Sequence, residues 1–144
     1  MKEGWYGNEY LVLFEGEEIE ARTNDYAIPT YMPGHTLLGL AAWDNFIVRE
    51  DKTGKVYKVL TLPMRPEYRE PCDIDLADAE FKLDRDARYY QKIKWYIDPV
   101  VFGGDPEPGE NMVWLPHKEH VEAVLYWNNI FENMAPDAKP APAK

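Results

Sequence analysis

Two histidines, His117 and His120, stand three positions apart, close enough to share one side of a helix. With Glu119 or Glu122 nearby they invite a metal reading, but the spacing is HKEH rather than HExxH. Zinc would need a third ligand from elsewhere, such as His35 or an acid. A metal-dependent hydrolase therefore stands only as an alternative, and no metal ligand or cofactor is assigned. The helical wheel offers a plainer role for His120. At about 100° per residue it falls between Val124 and Trp127 on an apolar face, where a packed imidazole donates from one nitrogen and accepts at the other. Asn128 approaches the same side, where its amide can satisfy loop backbone groups.

Cys72 is the only cysteine, so neither an intrachain disulfide nor an all-cysteine zinc site can form. No adjacent base marks it as a nucleophile. The acids of DIDLAD, Asp73 and Asp75, alternate onto one face, and Glu17 and Glu18 lie in a second acidic run. Both runs read as solvated edges that could meet a basic partner, because a glycosidase pair also needs a set separation and divided protonation roles. Gly103-Gly104 lacks phosphate-loop spacing and a terminal Lys-Ser or Lys-Thr. Trp114, His117, Tyr126 and Trp127 can supply recognition surface, with the helix pattern drawing Trp127 toward the core. The expected partner-contacting residues are thus Glu17, Glu18, Asp73, Asp75, Trp114 and His117, with no catalytic residue.

These groups need elements to hold them. Tyr10–Phe14 is an apolar run of strand length, and Glu17–Asn24 suits a short helix. Pro29 draws Tyr26–Ile28 toward extended backbone. Leu37–Leu40 and Asn45–Arg49 read as strands. Phe46–Arg49 and Lys55–Leu60 form the clearest hairpin, with Gly54 in its turn. Prolines 63, 66 and 71 interrupt the next stretch. Residues 78–94 fit a helix, but Lys92–Ile97 also alternates like a strand, and both readings stand. In the segment that starts at Asp98-Pro99, residues 103–110 make a turn-rich loop. A helix follows from about His117 to Met134, with Val121, Val124, Trp127, Phe131 and Met134 at helical spacing and Lys118, Glu122 and Asn129 on another face. The expected fold is α+β, an antiparallel sheet with packed helices, in one domain over residues 1–135 followed by a flexible Pro/Ala tail over 136–144.

The 144 residues carry 16 Lys plus Arg against 26 Asp plus Glu, a net charge of −10. That field repels phosphate backbones and anionic lipid, which disfavours nucleic-acid and membrane partners and attracts a basic protein. No run approaches the ~20 apolar residues of a membrane helix. The N-terminal stretch lacks the apolar core of a secretory signal, so a cytoplasmic location is the expectation.

The segments NEYLVLFEGEEIEARTNDY, MPGHTLLGLAAWDNFIVRED and GKVYKVLTLP, in that order, resemble the bacterial SMI1/KNR4, or SUKH, superfamily. Tyr10–Phe14 resembles the family's strand before an acidic helix. Pro33, Gly34, Leu38, Gly39 and Phe46–Val48 resemble its following turn and strand. FGGDPEPGENMVWLPHKEHVEAVLYWN resembles the C-terminal extension of some members. The resemblance implies an SMI1/KNR4-like α+β scaffold that binds proteins without turnover, often as an immunity protein covering a bacterial toxin. A structural or regulatory interaction protein is the alternative. Members commonly begin with a helical LPxxY-like region and an Asn-Gly turn, whereas this chain opens almost directly at Tyr10, with only the short stretch Gly4–Asn8 ahead of the strand. The expectation is an atypically short N-terminal region whose cap is missing, remodelled or supplied by oligomerisation.

Overall fold

The computed structural model describes residues 1–140. Six strands, β1 (Lys2–Tyr6), β2 (Glu9–Leu13), β3 (His35–Ala41), β4 (Asn45–Glu50), β5 (Val56–Leu60) and β6 (Glu70–Pro71), form one antiparallel sheet in sequential order. Helices α1 (Glu17–Asp25) and α2 (Ile28–Tyr31) lie between β2 and β3. After β6 come α3 (Leu76–Ala79), the two-stranded ribbon of β7 (Ile93–Tyr96) with β8 (Met112–Leu115), and the long helix α4 (His117–Glu132). The chain is thus α+β, as its patterning predicts.

The sheet is covered on both faces, which explains why β2 is apolar from Tyr10 to Leu13 rather than alternating. Tyr10, Val12 and Phe14 join Leu37, Leu40, Phe46, Val48, Val59 and Val124 in the main core. Leu11 and Leu13 turn the other way, packing with Ala41, Ile47 and Ala79, and with Cys72, Ile74, Leu76 and Leu83 from the segment after β6. The alternation survives a step in β3–β4 register between Leu37 and Gly39. Gly39 is needed there because a Cβ would come within 2.1 Å of the Val12 carbonyl oxygen.

Residues 2–6, which have no element assigned from the sequence, form an edge strand paired over its whole length with β2. Its outer side is occupied too: Trp5 N donates to Asp84 O at 2.8 Å and Asp84 N returns to Trp5 O at 3.0 Å, leaving less open edge for a neighbouring chain. The extended reading of Ile28 is corrected. Ile28–Tyr31 is a helical turn, because Pro29 sits in its first turn, where its missing N–H costs no intrahelical bond. Ala27, at φ 54°, makes the preceding corner. Between the helix and strand readings of residues 78–94, Ile93–Tyr96 is strand, and the helix stops at Ala79. Met112–Leu115, which has no element assigned from the sequence, is the ribbon's second strand. In the expected tail, Ala138 N bonds to Ala135 O and Lys139 lies over the Phe131 ring; residues 141–144 are outside the described residues.

Candidate functional site

The first turn of α4 brings His117 and His120 to Tyr26, which follows α1. The Tyr26 hydroxyl lies 2.7 Å from His120 Nδ1 and 3.4 Å from His117 Nδ1. A phenol has one proton, so it can donate to one imidazole while accepting from the other. His120 is fully buried, with Trp95 edge-on at 5.5 Å between ring centroids. Burial, reinforced by His117, lowers its pKa to about 3. Burial also lowers the pKa of half-buried His117, although Asp25 lies 3.7 Å from its Nε2. The same burial raises the Tyr26 phenol far above its ordinary range.

His35 is elsewhere. Its Nδ1 faces the carbonyl oxygens of Met32 and Pro33, and its Nε2 meets Arg69 Nη1 at 2.9 Å. Arg69 also donates to Glu50 and lies 4.4 Å from the Tyr57 ring centroid. The three histidines therefore belong to two separate networks. Among the described residues, no group of three or more His, Cys, Asp or Glu is placed to hold a metal ion. Cys72 is half-buried with the apolar residues under the sheet, and burial raises its thiol pKa, the opposite of nucleophile activation.

The acids expected to meet a partner are spread over two regions. Glu17 is exposed at the start of α1; Glu18 is half-buried and approaches the N-terminal amine at 3.2 Å. Asp73 is exposed, 4.0 Å from Lys58 Nζ. Asp75 caps α3 by accepting from Asp78 N at 3.1 Å. Trp114 packs inward, stacked on Tyr89 and edge-on to Trp43, each at 4.9 Å. Asn128 is buried and satisfies the loop as its position predicts: Met64 N donates to its Oδ1 at 2.7 Å, and its Nδ2 donates to Thr61 O and Val124 O at 2.8 Å.

Sequence reasoning missed the buried carboxylate of Glu3. It accepts from Tyr10 OH at 2.6 Å and from Gln91 N at 3.0 Å, fastening β1 to the segment before β7. Burial and this acid raise the Tyr10 phenol pKa. The alternation in KEGWY is a weak signal for an inward Glu3, but its partner Gln91 is visible only in three dimensions. The arrangement commits its imidazoles, thiol and one carboxylate to internal contacts while presenting acids to solvent. Comparison with protein-family models, curated proteins and solved structures found no match.

Proposed function

We propose that this chain is a non-catalytic protein-binding domain of the SMI1/KNR4-like kind, acting in the cytoplasm as an immunity protein against a basic bacterial toxin. The observation carrying this reading is the division of labour among its polar groups. His35, His120, Cys72 and Glu3 serve the fold, whereas the acids behind the net charge of −10 include exposed Glu17, Asp73 and Asp75. An acidic surface accelerates encounter with a basic partner and blocks it by coverage, with no bond made or broken. The segment order resembling SUKH proteins supports the same reading, and the six-stranded sheet with packed helices is compatible with it.

Co-expression with candidate toxins encoded beside this protein tests the proposal. Protection of growth should accompany a stoichiometric complex whose association slows as salt rises. Binding without protection would support the structural or regulatory alternative. Neither binding nor protection across such toxins would end the immunity reading.

A further inference from the structure

The loop between β7 and β8 and Trp127 of α4 line an open groove of about 950 Å³. Phe102 and Trp127 give it two aromatic rings, with centroids 5.4 Å apart and planes tilted by 37°. Beside the lining residues, Tyr126 meets Trp127 edge-on at 5.3 Å and is 61% exposed; Ile97, which lines the groove, is 52% exposed. Asp98, Asp105 and Glu110 line it, with no Lys or Arg among the lining residues. Among the described residues, the Asp98 and Glu110 side chains form no ion pair or hydrogen bond.

Two side chains, Asn111 and Tyr96, tie the backbone of this loop in place. Asn111 accepts from Asp98 N at 2.8 Å and donates to Asp98 O at 2.9 Å and Asp105 O at 3.0 Å. Tyr96 OH donates to Pro106 O. Gly104 passes so close that a Cβ would lie 1.7 Å from Asp98 O. Acids and aromatic rings are thus presented without ordering a flexible segment on binding, which lowers the entropy cost of association.

We propose that this groove binds an arginine-bearing basic segment of the partner protein. The inference rests on the protein-binding reading above and gives it a surface different from the acids expected from sequence. Arginine fits because its planar guanidinium stacks on aromatic faces and pairs with carboxylates through a fork of donors. The molecule already places cations at this aromatic cluster: Arg65 and Lys139 lie 5.0 and 5.4 Å from the centroid of Phe131, the ring neighbouring Phe102.

The test is a ¹⁵N-NMR titration of the full chain with a capped peptide of alternating Arg and Gly, alongside its Lys counterpart. Shifts should concentrate on residues 97–111 and the Trp127 indole N–H, and the Arg peptide should bind more tightly. Asp98→Asn with Glu110→Gln should weaken binding about tenfold, whereas the equal charge change Asp73→Asn with Asp75→Asn should alter it no more than about twofold. Tyr126→Ala, at an exposed position, should also weaken it. Equal losses from both charge pairs, or shifts centred on Glu17, Glu18, Asp73 and Asp75, would overturn the groove while leaving acidic recognition standing. Absence of peptide binding would also overturn it. If Lys139→Ala markedly tightens peptide binding, the groove's occupant is the chain's own Lys139 and the proposal falls. Full toxin protection by the groove variants would reject this surface alone; failure of the unaltered protein to protect would reject the immunity reading.

Discussion

Tyr26 and His120, distant in sequence, meet in the core with the phenol oxygen 2.7 Å from the imidazole Nδ1. The bond joins the corner after α1 to the first turn of α4, clamping both helical segments onto the same sheet face. His120→Ala removes a buried ring and leaves the Tyr26 hydroxyl without this partner. The expected cost is about 2–4 kcal/mol. Glu122→Ala, on the exposed face, should change stability by no more than about 0.5 kcal/mol. Urea denaturation checks the contrast, and equal stability of the variants would contradict the clamp.

The same imidazole makes stability depend on pH. The unfolded His120 has an ordinary pKa near 6.5, but the folded one has a pKa of about 3. Between those values the unfolded state takes up a proton that the folded state refuses. This contribution is fully present above about pH 6.5 and is lost progressively as pH falls toward 3, at no more than ~1.4 kcal/mol per pH unit. The lowered pKa of His117 acts with the same sign. Urea titrations between pH 6.5 and 5 should therefore show a steeper loss for the natural chain than for His120→Gln. Parallel slopes would mean that His120 takes up its proton without disturbing the fold.

Local periodicity reveals much of this structure and misses what depends on distant partners. The apolar run of β2, the β4–β5 hairpin and the faces of α4 are legible because their patterns repeat within each segment. The inward placement of His120 follows from the same helical period. β1 is obscure because its inner face needs Gln91 to satisfy Glu3 and its outer edge needs Asp84. In α2, the pre-proline preference yields to the tolerance of a helix's first turn for proline. β8 has only four residues, and its pairing with β7 decides its conformation. The aromatic groove is legible only as parts, since Phe102 and Trp127 come from separate elements.

Gly39 tests the close fit between β2 and β3. Alanine would drive its methyl against the Val12 carbonyl oxygen, with the ideal Cβ only 2.1 Å away. Relief requires the two strands to separate where Leu13 pairs with Gly39. Gly39→Ala should destabilise by about 3 kcal/mol or more, as overpacking against backbone does. Gly54→Ala tests a different cost, because its Cβ would meet open space and only the strain of φ 75° remains. That change should cost about 1–2 kcal/mol. Thermal denaturation of the two variants checks this order, and the reverse would contradict the tight β2–β3 contact.

Asn128 provides a sharper test, because its side chain completes the hydrogen bonding of another segment. Its carbonyl accepts from Met64 N, while its amide donates to Thr61 O and Val124 O. Asn128→Leu nearly preserves volume but leaves buried Met64 N and Thr61 O without those partners. The expected loss is about 2–4 kcal/mol despite the more apolar side chain. Asn128→Asp separates donor from acceptor: it can still accept from Met64 N, but its carboxylate faces two carbonyl oxygens where the amide had donated. Raising the pH from 4 to 7 should therefore destabilise this variant relative to the natural chain, because ionisation replaces a neutral acid with a buried charge. Chemical denaturation at both pH values, with hydrogen exchange at Met64 N–H, distinguishes the roles. Leucine should accelerate that exchange, whereas aspartate should retain more protection at the lower pH. Unchanged stability and exchange in both variants would mean that the 61–64 segment is held without Asn128.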